Sequence, residues 1–393
     1  MAGLEVGSPA WLERVFAAEA RADIFGARRP AVGVPLLVLL GGQPAAGKTT
    51  AQRAVLAANP DAGLVPVTGD DLREHHPDYP ELAADGPLEM PGATAGVSGG
   101  LVKLALDHAL AGRYSVLLEG TFRDTGMVEA TARRFAQAGY RVEVVAVAAP
   151  AAASRLSAEQ RCLADQEGQL GRWTPPGAHE AALAASSQTV AALEALPFVS
   201  RVQVHTRGRV LYDNQRGPAG EWLDEPRAAR VVRAEQDRRL APAEAADWLD
   251  RYQEVFQRAL ARPGYLSAAT MPAYRRLQQD AAAMIPIAAA HPGAHPAALL
   301  RAHDWRRNAL NAAGASGRRS RPAQAPRLGP SSPSWDAAPP RRESPGMTLS
   351  HGASQDRAQR SEPTPTRRRD ACATQPTRGA GAELTLPGAD PAT

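Results

Sequence analysis

The segment that most constrains this chain is Gly42-Gln43-Pro44-Ala45-Ala46-Gly47-Lys48-Thr49. It stands between the uniformly apolar run Pro35-Leu36-Leu37-Val38-Leu39-Leu40 and a helix-forming stretch at 49–58 that Asn59-Pro60 stops. An apolar run of that length without alternation predicts a strand buried on both faces, as inner strands of parallel sheets are. A glycine-rich turn from such a strand into a helix leaves backbone N–H groups free at the helix start, and these attract phosphate. The spacing G-x-x-x-x-G-K-T is that of a P-loop, in which Lys48 adds a full charge at the β and γ phosphates and the Thr49 hydroxyl reaches Mg²⁺. Of the 45 basic side chains only Lys48 and Lys103 are lysines, so a lysine kept at this place is informative. The loop predicts a nucleoside triphosphate with magnesium and leaves switch, motor and kinase open.

The same alternation continues downstream. Strands are predicted at 64–67, 115–118 and 141–147, with helices at 102–110, 128–138, 151–166 and 177–196. Two late strands, 202–205 and 209–212, flank Thr206-Arg207-Gly208, and a hairpin is one reading of them. Before the first strand, Trp11, Val15, Ala18, Ala22 and Phe25 recur at helical spacing, which predicts a packing helix over 9–26. The fold class expected is α/β, a P-loop NTPase-type parallel sheet flanked by helices, with a helical C-terminal extension and a disordered tail. The divisions are an N-terminal helix at 1–29, a P-loop domain at 30–217, a helical extension at 218–313 and an Arg/Pro-rich tail at 314–393. In the extension, Trp248, Leu249, Tyr252, Val255, Phe256 and Leu260 form one apolar stripe, read as core.

Charge follows the same division. The tail carries 12 Arg against 7 acidic residues, leaving 33 basic and 34 acidic residues before it. A near-neutral body lacks the basic face of a nucleic-acid-binding domain, so nucleic acid is not an expected partner. Cys162 and Cys372 cannot build a disulfide framework, which fits a reducing, cytoplasmic setting. Glu5 and Glu13 stand where a signal peptide would need basic residues. No apolar stretch approaches the ~20 residues that span a bilayer. Cys162 reads as a small helical core residue, and His75, His76 and His179 lack metal-ligand spacing.

A γ-phosphoryl group needs an activated acceptor, and two strand ends offer carboxylates. Thr68-Gly69-Asp70-Asp71-Leu72-Arg73 follows the second strand, and Leu118-Glu119-Gly120-Thr121-Phe122-Arg123 ends the third. Groups past the carboxyl ends of such strands face the ligand crevice. Asp70 could accept a proton from a substrate hydroxyl, with Asp71 as the cap of the next helix. Glu119 could act on Mg²⁺ through water, the alternative being simple capping at Thr121 or Thr125.

With these residues in view, the chain resembles the zeta-toxin family of P-loop kinases over about residues 35–215. The resemblance rests on residues 41–49, on Gly69-Asp70-x-Leu72-Arg73 with His76-Pro77-x-Tyr79, and on Glu119-Gly120-Thr121-x-Arg123. Arg161, Gly171-Arg172-Trp173-Thr174-Pro175-Pro176 and His179 complete it. It implies transfer of phosphate from ATP or GTP to the 3′-hydroxyl of the amino sugar of UDP-N-acetylglucosamine, and an antitoxin protein as partner. It implies that Asp70 is the base, that Lys48, Arg161 and Arg172 are the charges on the transferring phosphate, and that Gly42 through Thr49, with Thr50, bind the nucleotide. Thr49 would meet Mg²⁺, and Thr121, Arg123, Thr131 and Glu119 would serve the sugar nucleotide. Lys103 stands where the family offers a substrate-contacting acid. The alternative functions are a kinase for another small metabolite or nucleic-acid end, and a nucleotide-regulated binding module.

Overall fold

A computed structural model of the chain describes residues 3–164 and 170–319. The N-terminal segment is one helical rod in three pieces: α1 (Pro9–Val15), a π-helical turn at Phe16–Ala20, and α2 (Arg21–Phe25). It buries Trp11, Val15, Phe16, Ala20 and Phe25, while Ala18 and Ala22 are exposed, against the expected stripe. The wider π turn shifts the phase of the rod.

The elements then follow as β1 (Leu36–Gly41), α3 (Lys48–Ala58), β2 (Val65–Thr68), a 3₁₀ turn (Asp71–His75), α4 (Tyr79–Asp85), α5 (Met90–Ala93), α6 (Ala95–Gly112), β3 (Val116–Glu119), α7 (Thr125–Gln137) and β4 (Arg141–Val147). After these come α8 (Ala151–Cys162), α9 (Pro176–Ala195), β5 (Val199–Thr206), β6 (Arg209–Gln215), α10 (Ala228–Gln236), α11 (Pro242–Ala261), α12 (Met271–Ala288) and α13 (Pro296–Arg319). The strands form one sheet in the order β2-β3-β1-β4-β5-β6, parallel except for the β5–β6 hairpin.

β1 is central, which is why its sequence is apolar throughout. Leu37 and Leu39 pack into the core that holds α1, α6, α7 and α9, while Leu36, Val38 and Leu40 face the core of α3. Each such side chain contributes about 1.5–3 kcal/mol when fully buried. Register brings the carboxyl ends level: Glu119 pairs with Leu40 on one side and Thr68 on the other. The residues just after β1, β2 and β3 therefore converge above one edge of the sheet.

α6 starts at Ala95, earlier than expected, and takes in Gly96, Gly99 and Gly100 despite their weak helix propensity. Packing overrides propensity here, because a Cβ on Gly100 would press into the Leu12 side chain of α1.

A second core holds Trp248, Leu249, Tyr252, Val255 and Phe256 of α11 with α12, Leu310 of α13, and also Ala152, Leu156, Cys162 and Trp173. Leu260, expected in that stripe, is exposed. The position near 217 does not separate the cores. α10 adds Ala228 and Val232 to the sheet's core, whereas α8 lies in the helical one. Arg155 of α8 bonds both Glu180 and Asp280 of α12. α13 continues to Arg319, past the expected boundary at 313, and the rest of the tail and Cys372 lie outside the described residues. Among the described residues no helix is long and apolar enough to cross a membrane.

Candidate active site

The loop between β1 and α3 is possible only with its glycines. Gly42 and Gly47 have φ of 148° and 107°, and a Cβ on Gly42 would run into the carbonyl oxygen of Val147. Between them, Gln43 is fully buried, donates from Nε2 to the Ala149 carbonyl at 2.6 Å, and accepts from Gln236 Nε2 at 3.1 Å. Pro44 and Ala46 are buried as well, so the loop is held from below. Lys48 folds back onto the loop, its Nζ 3.4 Å from the Gly42 carbonyl and 3.5 Å from that of Gln43. Thr49 and Thr50 lie in the first turn of α3, and both are exposed.

Asp70 stands two residues past β2. Its Oδ1 accepts from Arg73 Nε at 2.9 Å, and its Oδ2 pairs with Arg172 Nη1 at 2.9 Å. Arg73 is itself anchored, donating from Nη1 to the Pro91 carbonyl at 2.9 Å and to Thr94 Oγ1 at 2.7 Å. Burial alone would raise the Asp70 carboxyl. The charges of Arg172 and Arg73, the Arg73 hydrogen bond and Arg161 outweigh it, and the group lies below the usual carboxylate range.

Asp71 does not cap a helix. It is the first residue of a 3₁₀ turn whose cap position is Asp70, and that turn has no side-chain cap bond. Asp71 is exposed, 3.8 Å from Arg172 Nη2.

Glu119 ends β3 facing the loop. Burial raises its carboxyl above the ordinary value while Lys48 opposes the rise. Burial in turn lowers the Lys48 ammonium, against the pull of Glu119, and Arg161, Asp70 and Arg172 act on it too. These five charges are therefore within electrostatic reach of one another.

Arg161 lies in the last turn of α8, donating from Nη2 to Thr174 Oγ1 at 2.9 Å, and its buried Nε has no hydrogen-bond partner. Gly171 lets the segment carrying Arg172 lie against that helix end, donating to the Cys162 carbonyl at 2.8 Å. A Cβ there would strike the Arg161 carbonyl oxygen. Trp173, buried in the helical core, fixes the next residue. Two arginines are thus presented side by side, one with an unsatisfied buried donor, as an incoming anion would require.

Thr121 and Arg123 follow β3 on either side of Phe122, which is buried with φ 52° and whose carbonyl accepts from Thr189 Oγ1 at 2.9 Å. The cap of α7 is Asp124, whose carboxylate accepts from Met127 N at 2.9 Å. Neither Thr121 nor Thr125 fills that role. Thr131 lies on α7 and donates from its hydroxyl to the Met127 carbonyl at 2.9 Å. Lys103 is exposed on α6, 3.4 Å from Asp107.

His179 is buried between Ser154 and Glu180, and His75 sits between Glu19 and Asp23. Cys162 is buried and free, its thiol pushed up to about 11 by burial. A cavity of about 230 Å³ is lined by Asp70, Arg73, Tyr79, Met90 and Arg172. A larger one, about 560 Å³, lies between α2 and β2 beside His75, and none of its lining residues belongs to the loop at 42–49.

The sequence assigns no role to four residues that hold the site, Arg73 and Thr174 among them although both stand in the quoted motifs. Arg73 was legible, since a cation three residues after a carboxylate in a helical turn can reach back to it. Thr94, Thr174 and Gln236 carry no such local signal.

The sequence model described as Zeta toxin matches residues 22–217. Toxin PezT of Streptococcus pneumoniae is 30% identical over 184 residues, covering 46% of this chain and 72% of that protein. The chain belongs to the zeta-toxin family. A second family member, Toxin zeta of Streptococcus pyogenes, is 24% identical over 233 residues, or 58% of this chain and 81% of that one. The solved PezAT toxin-antitoxin system of Streptococcus pneumoniae aligns with a TM-score of 0.52 and 22% identity, covering 65% of this chain and all of the other. That likeness is one of fold, and its share of this chain exceeds the half that the sequence model matches.

Proposed function

We propose that the chain is a kinase that transfers the γ-phosphoryl group of ATP or GTP to the 3′-hydroxyl of the amino sugar of UDP-N-acetylglucosamine, and that it acts as a toxin held in check by an antitoxin. The convergence of Lys48, Asp70, Glu119, Arg161 and Arg172 at the carboxyl ends of β1, β2 and β3 carries this reading. A switch needs no carboxylate placed to take a proton from an acceptor hydroxyl; a kinase does. The names of the relatives support the toxin role, and the likeness to the PezAT toxin-antitoxin system supports an antitoxin partner.

In this reading Gly42 through Thr50 cradle the donor phosphates, and Lys48 swings from the loop carbonyls onto them. Arg161, with its free Nε, and Arg172 take the charge of the transferring group, for which planar guanidinium forks are suited. Asp70 accepts the acceptor hydroxyl's proton. Thr121, Arg123 and Thr131 hold the sugar nucleotide.

Mg²⁺ is usually held by one or two protein oxygens together with substrate phosphates, and Thr49 with Glu119 matches that donor set. When bound, the ion neutralises charge on the β and γ phosphates.

The test is incubation of the purified protein with Mg·ATP and a panel of UDP-sugars, read by mass spectrometry. A mass gain of one phosphoryl group on UDP-N-acetylglucosamine is expected. ATP turnover with every sugar unmodified would overturn the acceptor assignment.

A further inference from the structure

The strand order decides which way a bound nucleotide must run. β1 carries the phosphate loop, and its neighbour β3, with β2 beyond, delivers Glu119 and Asp70. That side belongs to the acceptor and the transferring phosphate. The nucleoside of the donor therefore leaves across the other side, over β4 and β5, where the turn between β5 and β6 carries Arg207.

Arg207 is tied to the loop itself. Its Nη2 donates to the Ala45 carbonyl at 3.1 Å and to Ser157 Oγ of α8 at 2.7 Å. Its Cγ would be 3.3 Å from a Cβ on Gly47, the residue that opens α3. Ala45 is held at φ 59°, so the bond falls on a backbone position that a non-glycine residue seldom adopts.

Two further observations point to a ligand. The residue is exposed, and both of its guanidinium hydrogen bonds leave from Nη2, at one edge of the group. Among the described residues no carboxylate forms an ion pair with it. Burial and the charge of Arg251 on α11 both push its pKa down, so the positive charge here is uncompensated.

We infer that Arg207 is a donor-site binding residue whose guanidinium plane packs against the nucleoside of the phosphoryl donor, while its edge keeps the loop in place. A planar guanidinium stacks flat on a purine, an arrangement that lysine, a point charge on a flexible stem, cannot take up. The inference rests on the kinase reading and adds a nucleoside contact to it.

The full chain is used, and the dissociation constants of a non-hydrolysable Mg·ATP analogue and of Mg·tripolyphosphate, which has no nucleoside, are measured by calorimetry. Arg207→Lys keeps the charge and a donor for Ala45 but loses the plane. It should weaken the ATP analogue about 3- to 30-fold, as expected for losing a stacked guanidinium, and leave tripolyphosphate within about 2-fold. Equal weakening of both ligands would mean that Arg207 acts only by shaping the loop, and no weakening of either would remove it from the site; each result overturns the inference. A wild-type chain that binds neither ligand would instead sink the kinase reading, and this inference with it.

Discussion

Arg172 Nη1 lies 2.9 Å from Oδ2 of Asp70, so the group proposed to accept a proton is engaged by the group proposed to meet phosphate. The other carboxylate oxygen is held by Arg73, also at 2.9 Å. A carboxylate gripped by two guanidiniums is fully ionised at neutral pH but is a weak base. In the proposed reaction, a shift of Arg172 onto a bound γ-phosphate would relieve half of that grip and make Asp70 more basic.

Asp70→Asn keeps the shape but cannot take a proton. Acceptor phosphorylation should fall by about 10²- to 10⁴-fold with nucleotide affinity retained. Asp71→Asn should change turnover and stability little, because the structure gives that exposed side chain no cap to make. Product formation and nucleotide affinity measured for both variants check the assignment. A dead Asp71→Asn beside an active Asp70→Asn would reassign the base.

Lys48→Ala removes the ammonium that can shift from the loop carbonyls to the phosphates. Turnover should drop by orders of magnitude with the melting temperature close to wild type, since the bonds lost are long. Turnover near the wild-type rate would remove the P-loop kinase reading.

Gly171→Ala places a methyl group against the Arg161 backbone carbonyl. The segment must move, carrying Arg172 away from Arg161 and Asp70. A stability loss of about 1–3 kcal/mol is expected, with a fall in kcat larger than any change in nucleotide affinity. Denaturant melts and steady-state kinetics read the two effects separately, and an unchanged kcat would show that Arg172 needs no fixed position.

Glu159 is buried in α8, two residues before Arg161, and accepts from the Tyr265 hydroxyl at 2.9 Å. Burial pushes its carboxyl up to about 7 against an ordinary 4.5, with the Tyr265 bond opposing. Because the folded chain holds this proton more tightly, its contribution to stability is full below pH ~4.5 and is lost as pH rises through about 7. The loss is on the order of 3 kcal/mol at most. Glu159→Gln cannot titrate, so urea melts at pH 5 and pH 8 should differ less for it than for wild type. Parallel pH dependence in the two proteins would show that Glu159 does not carry this effect.

The β-α alternation, the buried β1, the hairpin around Arg207 and the candidates Lys48, Asp70 and Glu119 were legible along the chain, whereas Arg161 and Arg172 were not. The alternation, the loop and the carboxylates rest on local signals: an unbroken apolar run, a glycine spacing, a strand end. The two arginines came from the family resemblance. The phase of the N-terminal rod was not legible, because a π turn answers to packing around Phe16 and Ala20 rather than to periodicity. The early start of α6 was missed for a related reason, since propensity alone argues against a helix through Gly99 and Gly100.

What the sequence determined by itself is the phosphate loop, because its backbone geometry is a property of consecutive residues: glycines that alone can take the required φ, and a lysine at the start of a helix. What only the tertiary structure decided is how the other charges are held. Arg73 reaches Thr94, Arg161 reaches Thr174, Gln43 reaches Gln236 and Glu159 reaches Tyr265. The same holds for the helical region, which packs against Trp173 and α8, the segments that carry Arg172 and Arg161. Contacts between segments far apart in the chain leave no periodic trace in either segment, since each residue's partner is set by where the sheet and helices bring it, and not by its neighbours in sequence.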